Sequence, residues 1–312
     1  MIGGSDVRDV AIICGPTAAG KSAIAMAIAE RTGALVISAD SRQVYRHFDI
    51  GTAKPSIADR ARVDHRGIDL VDPTERYSAA QWAASATEWM RDAEAKNRPV
   101  VIVGGTGFYL RALETPLFES PPLEPVAREH VLAELETQST DALRARCVAV
   151  DPDRAHLGRT QLLRALETFA LTDRPLSDWM RENARPAAFR GHYLVVDPGA
   201  ALRDQIARRV HGMLDKGWEA EVAKLVSEIP PEAPAWNACG YGELRAAAAG
   251  ASARADAVER TIIDTRQYAK RQRTWLRHQL PADRVTPLDP AAGDALTRAL
   301  AWWESASLSE HL

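Results

Sequence analysis

Cysteine is scarce in this chain of 312 residues: Cys14, Cys147 and Cys239 are odd in number and far apart. They give no metal-ligand spacing and no disulfide framework, which fits a reducing compartment. No apolar run approaches the roughly 18–20 residues that a membrane span needs, so no membrane is expected as a partner. The opening stretch, Met1–Asp9, carries Asp6, Arg8 and Asp9 and no apolar core, so a secretory signal is not expected and the expectation is a cytoplasmic protein. No excess of charge of either sign is present: 39 basic residues face 42 acidic ones, which argues against a general nucleic-acid coat while leaving room for a local basic face. What is present is ordinary for a folded chain, with 46% hydrophobic and 26% charged residues and a mean hydropathy of -0.25. A disordered or low-complexity chain is excluded. The length suggests one large domain with an insertion, or two domains.

The first half alternates short apolar runs with helical patterns. Val10–Cys14, Leu35–Ile37, Ile68–Val71 and Val100–Val103 read as buried strands, and 22–31 and 77–96 as helices, the latter with Trp82, Ala86 and Trp89 on one face. Such alternation predicts an α/β fold, a parallel sheet flanked by helices. At Glu119–Pro125 three prolines in five residues make a stiff linker. Only helical patterning follows, at 126–147, 159–171 and 175–183, before His192–Val196 returns as a strand. The remainder reads as helices at 201–228, 242–249, 254–280 and 290–304. The expected organisation is therefore an α/β core over 1–118, an all-helical insertion over 119–189, and a return to the core over 190–312.

Gly15, Pro16, Thr17, Ala18, Ala19, Gly20, Lys21 and Ser22 fit the phosphate-loop pattern of two glycines with four residues between them, followed by Lys and a hydroxyl residue. Between a strand and a helix, such a loop turns backbone N–H groups and a helix N-terminus onto an anion. Lys21 adds a mobile cation, and Ser22 offers an oxygen to Mg²⁺. Nucleotide-hydrolysing enzymes usually carry an acid at the tip of a further apolar strand. Val100–Val103 ends instead in Gly104-Gly105-Thr106, and the acid follows the second strand, at Asp40. Parallel strand tips share one crevice, which would bring Asp40 near the phosphates; a helix N-cap is an equally open reading of its position. Arg266, Lys270, Arg271, Arg273 and Arg277 form an acid-free run that is either a solvated helix face or a nucleic-acid surface.

Together with that loop, Ser38–Tyr45, Asp49-Ile-Gly-Thr-Ala-Lys-Pro55, His65–Pro73, Tyr77-Ser-Ala79, Val103-Gly-Gly-Thr-Gly-Phe-Tyr-Leu110, Arg164-Ala-Leu-Glu167 and Thr265–Arg277 resemble the bacterial tRNA dimethylallyltransferase family, in order over most of the chain. The resemblance implies a P-loop core with a helical insertion that grips the tRNA anticodon stem-loop. It implies transfer of a dimethylallyl group from dimethylallyl diphosphate, with Mg²⁺, to the exocyclic amine of the adenine 3′ of the anticodon in tRNAs reading codons that begin with U. By likeness Thr17 and Arg209 contact the diphosphate held by residues 15–22, and Asp40 orients the amine and takes its proton. Ser41, Arg42, Gln43, Thr106, Arg128, Gln161, Arg164, Lys270, Arg271, Arg273 and Arg277 fall at tRNA-contact positions. Trp275 reads as core, and Thr106 also suits the N-cap of a helix over 107–113. Gln161, Gln205 and Gly242 each stand where a cation is usual in the family, which predicts a weaker and less salt-sensitive hold on tRNA. A monomer is expected. The rival readings are a P-loop small-molecule kinase with the insertion as its lid, a prenyltransferase acting on free adenine nucleotides, and a non-catalytic RNA-binding P-loop protein.

Overall fold

A computed structural model describes residues 7–115, 121, 123–182 and 188–308. Met1–Glu114 with Ala187–Leu312 forms one compact unit and Thr115–Pro186 a second.

In the first unit six parallel strands pair side by side. They are β1 (Arg8–Cys14), β2 (Leu35–Ala39), β3 (His65–Arg66), β4 (Val100–Gly104), β5 (Phe189–Val196) and β6 (Val285–Leu288), in the spatial order β3-β2-β4-β1-β5-β6. Strand alternation divides the core. Val10, Ile12 and Cys14 of β1 enter one apolar cluster, while Ala11 and Ile13 enter another on the opposite face. Burial on both faces is what makes these strands continuous apolar runs in the sequence.

Helix α1 (Lys21–Thr32) leaves the phosphate loop and ends at Gly33, whose left-handed φ of 72° lets its N–H reach the Ala29 carbonyl. After α2 (Ile57–Arg62), α3 (Ala79–Glu94) starts at a reciprocal cap between Ser78 and Gln81 and buries Trp82, Ala86, Met90 and Ala93. Trp89, expected on that face, is only partly buried against the same cluster. Helix α4 (Gly107–Glu114) closes the first part of this unit. The second unit holds α5 (Pro125–Glu136), α6 (Thr140–Val150), α7 (Arg159–Thr172) and α8 (Leu176–Glu182) around a core of its own, with Leu135, Leu143, Cys147, Leu162 and Leu166. Back in the first unit, α9 (Leu202–Asp215), α10 (Trp218–Glu228), α11 (Tyr241–Ala248) and α12 (Arg254–Gln279) lie on the face covered by α3 and α4, and α13 (Ala295–Leu308) joins α1 on the other.

Several expectations are corrected. The third strand is His65–Arg66, not Ile68–Val71. The apolar run at 68–71 is drawn into a loop instead, because Asp69, Leu70 and Val71 donate their N–H groups to the carbonyls of Gln43 and Val44. The helix read at 126–147 is two helices, broken where Ser139 caps α6. That at 201–228 is also two, broken at Gly217 with φ 93°, a conformation that ends a helix and opens the next. The last helix starts at Ala295 rather than 290, and β6 and α2 were not foreseen. Of the linker read at 119–125, residues 119, 120 and 122 lie outside the described residues, as do residue 183 of the helix read at 175–183 and the boundary placed between 118 and 119; Glu124 caps α5 and Pro125 begins it.

Candidate active site

The C-terminal tips of β1, β2 and β4 deliver the phosphate loop, Asp40 and the Gly104-Gly105-Thr106 turn to one end of the sheet, as parallel pairing requires. Gly15 leaves β1 with φ 151°, and a Cβ there would stand 2.1 Å from the Val196 carbonyl oxygen, so only glycine fits. Ala18 adopts φ 63° and packs on the Leu202, Ile206 and Ala269 cluster contributed by α9 and α12. Gly20, at φ 90°, is the N-cap position of α1. Ala19 is buried, its N–H on the Pro16 carbonyl, which also accepts from Lys21 Nζ at 2.7 Å.

One side chain ties this loop to its neighbours. Gln272 of α12 accepts the Thr17 N–H at 2.8 Å and donates to the Gly105 carbonyl at 2.9 Å, linking the turns after β1 and β4. The approach is close enough that a Cβ on Gly105 would stand 2.3 Å from the Gln272 amide nitrogen.

Asp40 caps no helix. The segment after it is a run of turn, and its Oδ1 accepts the Arg42 N–H at 2.8 Å, a bond that orients the carboxylate. Its second oxygen accepts no hydrogen bond among the described residues. Thr106 stands at the head of α4, its carbonyl accepting from the Tyr109 and Leu110 N–H groups, while its hydroxyl accepts the Ser41 N–H at 3.1 Å and so joins the turns after β2 and β4. Gln43, expected to face a nucleobase, is committed to the scaffold: it accepts from Ser38 Oγ and donates to the Thr52 and Ala53 carbonyls. Lys54, in the Asp49–Pro55 segment, is buried and joins Asp49, Asp69 and the Tyr45 carbonyl.

Two cavities open here, both lined by the first unit. One, of about 880 Å³, is lined by Lys21, Ser22, Ser38, Gln43, Gly105 and Gln272 among others. The other, of about 730 Å³, is lined by Arg42, Trp236, Glu243, Tyr268 and Arg271 among others. Four residues line both: Thr17, Asp40, Arg209 and Met213. Electrostatics follow the geometry. Burial, with Arg209 adding repulsion, pulls Lys21 down to about 8, against which the Asp40 charge works. Burial also lowers Arg209, and Asp40 opposes that too. Burial and the nearby Asp40 push Tyr268 up to about 12, so it stays a neutral phenol. Cys14, beneath the loop, is pushed up to about 12 by burial and is no nucleophile.

The structure thus brings Thr17, Asp40 and Arg209 together, with Lys21, Ser22, Arg42, Gln43 and Arg271 on one cavity or the other. Lys270 and Arg277 are exposed on α12, outside both linings. Arg273, read as a tRNA contact, is bound to Asp197 at the tip of β5 and to the Gly199 carbonyl, and so anchors α12 to the sheet. Arg128 pairs with the buried Glu167 inside the second unit, where Gln161 and Arg164 are exposed. Trp275 is partly buried against Gly107, in agreement with its reading as core. Gln272, Tyr268 and Met213 had not been singled out. The first two lie inside the Thr265–Arg277 segment, whose charges drew attention away from its uncharged residues.

The family model for IPP transferase matches residues 43–279, and that for isopentenyl transferase matches residues 8–69. The chain is 40% identical over 297 residues to the tRNA dimethylallyltransferase of Azorhizobium caulinodans, covering 93% of this chain and 95% of that one. Among solved structures, the tRNA isopentenylpyrophosphate transferase of Bacillus halodurans superposes with a TM-score of 0.68 at 29% identity, over 98% of this chain and all of the other. A eukaryotic dimethylallyltransferase captured acting on tRNA gives a TM-score of 0.79 at 25% identity, over 98% of this chain and 81% of that one.

Proposed function

The chain belongs to the IPP transferase family, and from that premise we propose that it transfers a dimethylallyl group from dimethylallyl diphosphate to N6 of the adenine 3′ of the anticodon, in tRNAs that read codons beginning with U. It acts as a cytoplasmic monomer on the anticodon stem-loop. The observation that carries this reading is the shared wall: Thr17, Asp40 and Arg209 face both cavities at once. A donor bound on one side and an acceptor on the other would meet at that wall.

The chemistry follows from the charges. Breaking the allylic C–O bond leaves negative charge on the departing diphosphate. Lys21 and Arg209 line the first cavity, and together with the helix N-terminus behind the loop they would stabilise that charge as it grows. The Thr17 hydroxyl hydrogen-bonds the oxygen next to the breaking bond, and Gln272 keeps Thr17 in place through its backbone N–H. On the other side the N6 lone pair is delocalised into the purine. The free oxygen of Asp40 accepts a hydrogen bond from the amine, aligns it with the allylic carbon, and takes the proton as the N–C bond forms. The target base must first leave the anticodon-loop stack, at a cost on the order of a few kcal/mol because the loop is single-stranded. The second cavity is of the size that encloses a small ligand, and Arg42, Tyr268 and Arg271 line it. Ser22 and Asp40 line the first cavity beside Lys21, an oxygen donor set that suits Mg²⁺. When bound, the ion would neutralise charge on the leaving diphosphate.

The test is incubation with labelled dimethylallyl diphosphate, Mg²⁺ and unmodified tRNA, followed by nucleoside analysis. Label on the adenine 3′ of the anticodon supports the reading. Tight ATP binding with no dimethylallyl diphosphate binding would favour the kinase instead, and modification of free AMP but not tRNA the nucleotide prenyltransferase.

A further inference from the structure

Of the four residues that line both cavities, Met213 alone is apolar. It lies on α9, one turn beyond Arg209, and side chains four apart on a helix share a face. It is buried and packs in the larger core cluster, which leaves it little freedom to move aside. We propose that Met213 is the residue that holds the dimethylallyl group at the junction of the cavities and limits the length of the prenyl chain. This assignment rests on the function proposed above.

The argument is one of complementarity. A diphosphate held by the loop and Arg209 must point its reactive carbon at Asp40, or the amine cannot be aligned. The five-carbon tail therefore passes through the junction, where Thr17, Asp40 and Arg209 each carry a polar or charged end and Met213 carries none. Met213 supplies the apolar contact in the same helical face that grips the diphosphate. The thioether is unbranched and polarisable, suited to an irregular, unsaturated group. Arg209 and Met213 then act as a pair, one for the head of the donor and one for its tail. Truncating Met213 to Ala would remove three heavy atoms, Cγ, Sδ and Cε, from the wall that both cavities share and so lengthen the space open to the tail.

Transfer to unmodified tRNA is measured for wild type, Met213→Ala, Met213→Leu and Met213→Phe, with dimethylallyl diphosphate and geranyl diphosphate as alternative donors. Met213→Ala is expected to move the ratio of the two kcat/KM values toward geranyl at least tenfold, about the discrimination that one methylene provides in an apolar pocket. Met213→Leu keeps the wild-type ratio. Met213→Phe lowers kcat/KM for dimethylallyl diphosphate at least tenfold while the Kd for tRNA is unchanged. If both donors decline alike in Met213→Ala and Met213→Phe with the ratio unmoved, Met213 is a core residue only and the assignment is overturned. Should Met213→Ala fail to fold, the Phe variant with its tRNA Kd decides the matter alone. Wild type that transfers neither donor overturns the function itself, an outcome separate from an unmoved ratio.

Discussion

Asp40 and Lys21 show how single residues set this chemistry. The Arg42 N–H fixes one oxygen of Asp40, and the other accepts no hydrogen bond among the described residues. Asp40→Asn keeps the shape and loses the base, so transfer in single-turnover assays should fall about 10²-fold or more while filter binding of tRNA holds. Equal transfer by the variant would remove Asp40 from the proton step. Lys21 is held below its usual range by burial and by Arg209, at about 8. Its charged form is the one that binds a diphosphate, so donor affinity should weaken as pH rises through about 8 in wild type. Stability runs the other way. Between about 8 and the ordinary lysine value of 10.5 the unfolded chain binds the proton and the folded one does not, so folding becomes more favourable as pH rises. Lys21→Met should therefore be more stable than wild type at pH 7 in urea titrations, and the gap should narrow toward pH 10.5. A constant gap would mean that the lysine is not strained by its site.

At the scale of elements, α12 has two jobs on different faces. Gln272 and Arg273 turn toward the sheet, where they hold the phosphate loop and the β5 tip, while Lys270, Arg271 and Arg277 remain outward. Gln272→Ala leaves the Thr17 N–H and the Gly105 carbonyl without a partner, a loss of about 1–3 kcal/mol of stability together with a raised KM for the donor. Unchanged KM would show that the loop keeps its shape unaided. Lys270→Ala and Arg277→Ala should instead weaken tRNA binding and reduce its salt slope by about one each, with the KM for the donor unaffected. The sequence made these two sets of residues hard to separate. Five cations in one run mark a surface, but helical phase and strand tips decide that Arg273 faces Asp197 while Arg277 faces solvent.

For the whole molecule, the hold on tRNA is a sum over dispersed charges. By the resemblance drawn from the sequence, Gln161, Gln205 and Gly242 are expected to replace cations. The log–log plot of tRNA affinity against salt should be shallower than that of relatives with those charges, and an equally steep slope would refute the expectation. Gly242 makes this reversible: it lies on α11, lines the second cavity, and a Cβ there meets nothing within 4 Å. Gly242→Lys should tighten tRNA binding several-fold and steepen the slope by about one; unchanged affinity would place Gly242 away from the RNA.

The chain itself determined the class of fold, the phosphate loop and the carboxylate after the second strand, because each depends on local chemistry: continuous apolar runs for strands buried on both faces, glycines where no Cβ fits, and a cation beside a hydroxyl at a helix start. It could not disclose the order β3-β2-β4-β1-β5-β6 or the short β6, since strand order depends on tertiary packing and a four-residue strand leaves little pattern, whereas the breaks at Ser139 and Gly217 do carry a capping serine and a glycine. Tertiary structure alone decided that Gln43 and Arg273 serve the scaffold, that Gln272 latches the loop, and that Met213 joins Thr17, Asp40 and Arg209. Such pairings bring together residues as much as 255 positions apart, and only the packing of helices on the sheet sets which side chains meet.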